Sequence, residues 1–174
     1  MKDILERAAK TKIVIFDVDG VLTDGSLFLG DDGLEYKAFN SRDGHGMKML
    51  QKSGVSVAII TGRTSKVVEY RMQSLGIEHV YQGQLDKMVG FNDLLEKTGV
   101  EPGEIAYVGD DVVDLPVMLN VGLAIAVQDA HPLVLKHAHW QTPHCGGRGA
   151  GRDVCEMIME ANGTLDGALA EYLK

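Results

Sequence analysis

The chain alternates short apolar runs, rich in β-branched residues, with longer segments in which apolar residues recur every three or four positions. The runs predict strands at 13–18, 55–60, 77–81, 105–108 and 122–127, with a last short strand at Trp140. The periodic segments predict a short N-terminal helix and helices at 65–75, 86–95, 115–121, 131–138, 154–161 and 165–173. Alternating strands and helices predict an α/β fold with a doubly wound parallel sheet and right-handed crossovers.

One segment after the first strand interrupts this alternation. Residues 26–29 and 34–39 are two β-prone runs around a turn of Gly and Asp, which predicts a β-hairpin insertion. The next helix is expected to run to Lys52, and Ser41 or Asp43 is its predicted N-cap.

The domain organisation follows from these elements. We interpret residues 1–174 as one domain, with the hairpin insertion at 24–40 and a C-terminal tail with two helices at 146–174. The Gly-rich segment 146–152 is predicted to be a flexible loop. The spacing between the polar motifs described below leaves no room for a separate cap domain.

Two carboxylates stand directly after the first predicted strand, in the segment Phe16–Asp24. Asp17 and Asp19 begin on one side of the chain because side chains two apart in an extended strand point the same way. Two such charges repel by roughly 4 kcal/mol at about 4 Å and an effective dielectric near 20. A strand end that keeps both ionised needs a cation. The alternatives are a solvated turn or a calcium loop, and Gly20 occupies the position of the third calcium ligand.

Further polar side chains lie just past the carboxyl ends of other predicted strands, where ligands bind in open α/β sheets. The whole set is Asp17, Asp19, Thr61, Lys87, Asp110, Asp111 and Asp114. Taken singly, Thr61 is compatible with a helix N-cap, Lys87 with an exposed lysine and Asp114 with a first-turn helix acid. Scattered solvated loops would not produce the ordered set.

In this order, these residues resemble the motifs of the haloacid dehalogenase superfamily of phosphatases, over about residues 13–126. The resemblance implies that Asp17 attacks phosphorus and forms an aspartyl-phosphate. It also implies that Asp19 protonates the leaving oxygen and then activates water. Thr61 and the Gly62 N–H would donate to phosphate oxygens, and Lys87 would offset negative charge.

The same resemblance implies a Mg²⁺ cofactor, which prefers oxygen ligands. The implied ligands are the Asp17 side chain, the Asp19 backbone carbonyl and the Asp110 side chain. Asp111 and Asp114 would orient water molecules bound to the metal.

The whole chain, including the hairpin and the segments Asn40–Gly44 and Ile60–Arg63, resembles the family of 3-deoxy-D-manno-octulosonate 8-phosphate phosphatases. The resemblance implies a cytoplasmic tetramer that acts in lipopolysaccharide sugar synthesis, with the hairpins meeting in the tetramer core. It also implies that the C-terminal tail reaches a neighbouring site. The alternatives are a phosphatase for nine-carbon 2-keto sugar acid 9-phosphates, a phosphomutase, or a non-enzymatic receiver-like signalling domain.

Four arginines are candidate ligands for an anionic sugar. Arg63 and Arg71 can meet a sugar carboxylate, which arginine binds in a bidentate manner. Arg148 and Arg152 can close over a bound anion from the Gly-rich segment. The alternative for each is an ordinary surface arginine or a residue at a mobile helix entry.

Composition narrows the range of partners. The net charge of −8 argues against nucleic acid and anionic membranes. No apolar run reaches the roughly 20 residues of a membrane span, and residues 1–10 lack the apolar core of a signal peptide. Cys145 and Cys155 do not make a disulfide framework, so we expect a reducing cytoplasm. The histidines between 131 and 144, with Cys145, match no standard structural zinc spacing, and we interpret them as incidental.

Overall fold

Eight helices and eight strands occur in residues 2–174, the part of the chain that this computed structural model describes. The helices are α1 (Lys2–Ala8), α2 (Ser41–Lys52), α3 (Lys66–Leu75), α4 (Lys87–Thr98), α5 (Leu115–Met118), α6 (Pro132–His137), α7 (Ala150–Ala161) and α8 (Leu165–Ala170). The strands are β1 (Ile13–Phe16), β2 (Phe28–Leu29), β3 (Glu35–Tyr36), β4 (Ser56–Ile60), β5 (His79–Tyr81), β6 (Ile105–Gly109), β7 (Leu123–Ala126) and β8 (Trp140–Gln141). Short 3₁₀ turns lie at Pro102–Glu104, Val112–Asp114 and Glu171–Leu173.

Six strands form one parallel sheet in the order β5-β4-β1-β6-β7-β8. Numbered along the chain, this is the order 3-2-1-4-5-6 of doubly wound folds, and it confirms the predicted α/β sheet. The chain leaves β1 toward one edge and returns to its other side at β6. A switch point therefore lies between the carboxyl ends of β1 and β6, where such folds bind ligands.

The core forms because the central strands are apolar along their whole length. All four side chains of β1 and all five residues of β6 are buried, as expected for strands covered by helices on both faces. Helix α7 packs against α2 and α1, and α4 packs against α5. Within residues 2–174, no helix combines the length and the apolar character needed to cross a lipid bilayer.

The segment between β1 and α2 contains the predicted hairpin. Strands β2 and β3 pair antiparallel, with Phe28 opposite Tyr36 and Leu29 opposite Glu35. Gly33, at a φ of 77°, lies in the turn between them. The hairpin is a separate two-stranded sheet within the described chain and adds no strand to the central sheet.

Several predicted boundaries differ from the structure, and three of these differences have a visible local or tertiary cause. The N-cap of α2 is Asn40, whose side chain accepts a hydrogen bond from the Arg42 N–H at 2.9 Å, and neither Ser41 nor Asp43 has this role. Helix α4 continues to Thr98, because the stop residue Gly99 follows there. Helix α7 begins at Ala150, four residues before the predicted start.

The early start of α7 has a tertiary cause. The buried Asp43 of α2 accepts a hydrogen bond from the Arg152 N–H at 2.9 Å, which anchors the first turn of α7. Asp43 is therefore the acceptor for another helix rather than for its own. The sequence between Gly146 and Arg152 gives no sign of this contact.

The prediction of a flexible loop at 146–152 is wrong. Residues 150–152 belong to α7, and Gly146 and Gly147 are packed against other parts of the chain. A Cβ atom added to Gly146 would lie 1.8 Å from the Gly20 carbonyl oxygen, and one added to Gly147 would lie 2.5 Å from the Asp24 nitrogen. The Gly147 N–H donates to the Val21 carbonyl at 2.9 Å. The glycines allow this segment to pack directly against the backbone of the loop after β1.

We predict that Gly146→Ala lowers the free energy of unfolding by about 3 kcal/mol or more. Overpacking a core usually costs about 1–3 kcal/mol, and the cost is higher here because the new methyl group would clash with backbone atoms, which cannot move aside easily. Gly167→Ala is the matched control, since a Cβ at this position in α8 would meet nothing within 4 Å. The control is expected to be neutral or slightly stabilising. Urea unfolding of both variants measures the difference, and equal midpoints would contradict the packing described for Gly146.

Candidate active site

The register of the central strands determines which polar residues meet. Phe16 is paired with Val108 on one side and with Ile59 on the other, so the residues that follow these strands converge at one edge. The Asp17 N–H continues the ladder by donating to the Val108 carbonyl at 3.1 Å, and the Thr61 N–H donates to the Tyr81 carbonyl at 2.9 Å. The sheet thus holds the backbone of both residues at its carboxyl edge.

A cavity of about 240 Å³ opens at this edge. Its lining includes eight of the residues selected from the sequence, namely Asp17, Asp19, Thr61, Gly62, Arg63, Lys87, Asp110 and Asp111. Gln84, Leu85 and Val113 complete the lining and were not selected. Most of the predicted site residues therefore do come together in one place.

Lys87 is a buried cation at the floor of this cavity. Its Nζ atom lies 3.0 Å from Asp17 Oδ2 and 2.6 Å from Asp114 Oδ1, and its side chain is 2 % exposed. Burial alone would lower the pKa of Lys87, but the neighbouring carboxylates of Asp17 and Asp114 outweigh burial and raise it. Lys87 is therefore charged, which excludes an ordinary surface lysine.

Asp114 is the fixed partner of Lys87. It is fully buried, and its second oxygen accepts hydrogen bonds from the N–H groups of Asp110, at 2.9 Å, and Asp111, at 3.1 Å. The hydroxyl of the fully buried Tyr107 donates to its first oxygen at 2.7 Å. With Lys87, four donors therefore saturate the Asp114 carboxylate. The two backbone donors belong to the loop that carries Asp110, so Asp114 orients this loop and is more than a first-turn helix acid.

Asp17 and Asp110 have carboxylate oxygens without partners. Asp17 Oδ1 and Asp110 Oδ1 are buried, and neither accepts a hydrogen bond from any group in residues 2–174. Burial raises the pKa of Asp17 to about 6, with Lys87 opposing it, and burial together with Asp114 and Asp17 raises the pKa of Asp110 to about 8. Both shifts express the cost of burying a charged carboxylate, which Lys87 offsets only in part.

These unpartnered oxygens fit a metal ion. Oxygens of Asp17, Asp110 and Asp114 lie within 4.8 Å of one another, the one such group of three metal-binding side chains found in residues 2–174. Since Asp114 is already saturated by its four donors, the free donors are on Asp17 and Asp110. Hard carboxylate oxygens of this kind suit Mg²⁺, which usually takes one or two carboxylates and completes its octahedron with water and phosphate.

The loop after β1 must approach Asp110 closely. Gly20 has a φ of 91°, and a Cβ atom there would lie 2.1 Å from Asp110 Oδ2. A side chain at position 20 would displace the Asp110 carboxylate. Glycine at this position therefore leaves the space in which Asp110 faces Asp17.

Asp19 lies at the rim of the cavity, where a lysine that sequence reasoning missed is its partner. The Lys37 ammonium, on a side chain that is 1 % exposed, forms an ion pair with Asp19 Oδ1 and lies 2.6 Å from Glu35 Oε1. Glu35 and Lys37 are two residues apart in an extended segment and so share a face. In the sequence, this spacing indicates only that Glu35 and Lys37 can form an ion pair. It does not indicate that Lys37 also binds Asp19.

Thr61 is buried at 1 % exposure and lines the cavity. The N-cap position of α3 belongs to Ser65, so the helix-cap alternative for Thr61 is excluded. Gly62 follows it at the cavity rim, where a backbone N–H can meet an anion.

Of the four candidate arginines, Arg63 lines the cavity and the other three do not. Arg63 lines the cavity and forms two hydrogen bonds of 3.3 Å to the Glu35 carboxylate. Arg71 lies with its guanidinium carbon 5.8 Å from the centre of the Phe39 ring, outside this cavity. Arg148 pairs with Asp24 at 3.1 Å and Arg152 with Glu156 at 2.6 Å. A role in substrate binding stays a prediction for all four.

The histidines between residues 131 and 144 have separate structural contacts. His131 Nδ1 accepts the Leu133 N–H at 3.1 Å, and His139 Nδ1 accepts the Ala124 N–H at 2.8 Å. His144 pairs with Asp153 at 2.9 Å. These three histidines therefore have separate local contacts, and the interpretation that their clustering is incidental stays a prediction.

Comparison with known proteins identifies the relatives of this chain. A family model described as haloacid dehalogenase-like hydrolase matches residues 77–149. The 3-deoxy-D-manno-octulosonate 8-phosphate phosphatase of Escherichia coli K12 is 51% identical over 171 residues, which cover 98% of this chain and 91% of that protein.

Solved structures extend the comparison. The crystal structure of the Yersinia pestis 3-deoxy-D-manno-octulosonate 8-phosphate phosphatase has a TM-score of 0.93 and 51% identity, covering 95% of this chain and 89% of the other. The Moraxella catarrhalis phosphatase of the same name, solved with magnesium, phosphate and KDO, has a TM-score of 0.96 and 39% identity, covering 99% of each chain. The chain belongs to the 3-deoxy-D-manno-octulosonate 8-phosphate phosphatase family of haloacid dehalogenase-like hydrolases.

Proposed function

We propose that this protein is a Mg²⁺-dependent phosphatase that hydrolyses 3-deoxy-D-manno-octulosonate 8-phosphate to the free sugar acid and inorganic phosphate, a step of lipopolysaccharide sugar synthesis. The observation that carries the proposal is the Asp17 carboxylate, which lines the cavity and is held 3.0 Å from the Lys87 ammonium. Relatives of 51% identity bear the name of this activity.

Asp17 is the proposed nucleophile. Its ion pair with Lys87 fixes the carboxylate at the wall of the cavity where the phosphoryl group would lie. As a P–O bond forms to Asp17, the bond to the sugar oxygen breaks and Asp19 gives that oxygen its proton. Asp19 then takes a proton from the water that hydrolyses the aspartyl-phosphate.

Other residues hold the charge that phosphoryl transfer spreads over the phosphoryl oxygens. Thr61 and the Gly62 N–H are the proposed donors to these oxygens, and Lys87 supplies a permanent positive charge beside them. Asp17, the Asp19 carbonyl and Asp110 would hold Mg²⁺, which neutralises phosphate charge when bound. Asp114 fixes Lys87 and the loop of Asp110, and Asp111 lies at the cavity rim.

We also propose that the protein is a homotetramer in which neighbours complete the site. The cavity of about 240 Å³ is smaller than the roughly 300–1,000 Å³ of ligand pockets that enclose drug-sized molecules. The hairpin exposes large apolar side chains, with Phe28 at 54% and Leu29 at 67%. An apolar patch of this kind typically marks a protein contact. Phe39, at the end of the second run of the predicted hairpin, packs on the core instead.

Asp17→Asn is expected to lower phosphate release by about 10⁴-fold or more, the scale seen when a nucleophile is removed. The fold should persist because asparagine retains the shape and Lys87 keeps Asp114 as its partner. Glu78→Gln, at an exposed position directly before β5, is the charge-matched control and should retain activity. Phosphate release across a panel of eight- and nine-carbon sugar acid phosphates gives the readout. Preference for the nine-carbon 9-phosphates would support the alternative substrate.

Mg²⁺ should bind more tightly as the pH rises from 6 to 8, because burial raises the pKa of Asp17 to about 6 and that of Asp110 to about 8, and both must be ionised to bind it. The folded protein without metal binds more protons than the unfolded chain, so its stability should fall over the same range. Titration calorimetry in two buffers measures affinity and proton release, with more protons released at pH 6. An affinity independent of pH would contradict the raised pKa values.

Phe28→Asp combined with Leu29→Asp should convert the tetramer to smaller species without unfolding it, because both side chains are exposed in the single chain. Sedimentation velocity measures the change. Leu119→Asp is the control, since Leu119 is also exposed, at 63%, but lies far along the chain from the hairpin. A parent chain that sediments as a monomer would refute the proposed assembly.

A further inference from the structure

Lys37 is a buried, charged residue with no part in the chemistry described so far. It follows β3 on the exit strand of the hairpin, and its side chain is 1 % exposed. Taking an ammonium group out of water costs several kcal/mol unless it is paired. Two carboxylates provide that pairing, Asp19 and Glu35, with Glu35 Oε1 at 2.6 Å.

The pairing continues across the rim of the site. Glu35 accepts two hydrogen bonds of 3.3 Å from the Arg63 guanidinium, and the bond from Lys37 first and that from Arg63 next hold the pKa of Glu35 below its usual range. Charges therefore alternate through Asp19, Lys37, Glu35 and Arg63. This ionic chain connects the loop after β1 with the loop after β4, and the hairpin supplies its two middle members.

The position of Lys37 relative to the cavity defines what it can do. Asp19 and Arg63 line the cavity, whereas Lys37 is not among the lining residues found in the described chain. The ammonium donates to one oxygen of the Asp19 carboxylate, Oδ1. Lys37 can therefore act on a substrate through Asp19, by restricting the carboxylate to one orientation with Oδ2 free.

We propose that Lys37 is a positioning residue that aims the Asp19 carboxyl group at the leaving oxygen of the substrate. The inference rests on the proposed function, in which Asp19 transfers the proton. In the first step, an Asp17 oxygen bonds to phosphorus and the bond from phosphorus to the sugar oxygen breaks. Because Asp19 Oδ1 accepts from Lys37, whose charge Glu35 balances, the proton of the Asp19 carboxyl group lies on Oδ2 and passes from there to the sugar oxygen. A misaligned Asp19 leaves an alkoxide without its proton and slows this step.

A double-mutant cycle tests whether Lys37 acts through Asp19. Lys37→Met is expected to lower kcat/KM for the eight-carbon sugar phosphate by about 10- to 100-fold, part of the 10²- to 10⁴-fold that general acid–base catalysis provides. In an Asp19→Asn background the same substitution should cost less than about threefold, because coupled residues are not additive. Equal losses in both backgrounds would overturn the proposal.

The leaving group gives a second readout that a purely structural role would not change. The 4-nitrophenolate ion leaves without needing a proton, so Lys37→Met should lower kcat/KM for 4-nitrophenyl phosphate less than about threefold. The kcat/KM value reports the steps up to release of the leaving group, so slower hydrolysis of the aspartyl-phosphate does not affect it. Equal loss for both substrates would identify Lys37 as a structural clamp of the hairpin and overturn the proposal.

Controls separate folding from positioning. Lys12→Met removes another ion-paired lysine, which lies 2.7 Å from Glu104 at an exposed site, and should leave both kcat/KM values unchanged. Lys37→Arg keeps the charge and should recover part of the loss for the sugar phosphate. If Lys37→Met does not fold, an arginine variant that loses activity equally for both substrates would overturn the proposal, and loss confined to the sugar phosphate would support it.

The activities of the parent chain and of the two variants separate the role of Lys37 from the proposed function. If Asp19→Asn impairs phosphate release and Lys37→Met does not, Asp19 retains its proposed role and the positioning role of Lys37 is rejected. If the parent chain releases no phosphate from any sugar phosphate with Mg²⁺, the proposed function is rejected, and Lys37 loses its role with it.

Discussion

The buried ion pairs of Lys87 with Asp17 and Asp114 are the interaction on which the site depends. One ammonium group lies 3.0 Å from the first carboxylate and 2.6 Å from the second, in a region that solvent barely reaches. Removing one member of such an arrangement typically costs about 3–5 kcal/mol, because the other charges are left buried and unpaired. With Asp110 included, three carboxylates face one lysine. The site therefore carries more negative than positive charge, and a bound divalent cation would balance the excess.

The sheet holds this arrangement by backbone geometry. The strand order and the parallel register deliver Asp17 from β1 and Asp110 from β6 to the same switch point. Gly20 leaves room for the Asp110 carboxylate, and Gly146 in turn packs on the Gly20 carbonyl. The segment before α7 therefore packs directly against the loop after β1. The precision needed for phosphoryl transfer comes from rigid strand ends and close backbone packing.

Sequence reasoning succeeded where a local pattern determines structure. Apolar runs predicted the six strands of the main sheet, and polar residues at their carboxyl ends predicted which residues meet. It failed where a residue acts across the fold. Asp43 looks like a helix cap but accepts the Arg152 N–H of a distant helix. The sequence indicates only a strand residue at Tyr107 and a surface lysine at Lys37. In the structure Tyr107 binds the Asp114 carboxylate and Lys37 binds that of Asp19, and only tertiary packing brings these groups together. The single-domain interpretation of residues 1–174 stays a prediction.

The claim that Asp17 forms a covalent intermediate is tested most directly by chemical trapping. The protein would be mixed with its sugar phosphate and Mg²⁺, quenched within milliseconds and reduced with borohydride, which converts an aspartyl-phosphate to homoserine. Peptide mass spectrometry then locates the modified residue. The account predicts homoserine at position 17, dependent on substrate and absent from Asp17→Asn. Modification at Asp19 or Asp110, or turnover without any modified residue, would contradict it.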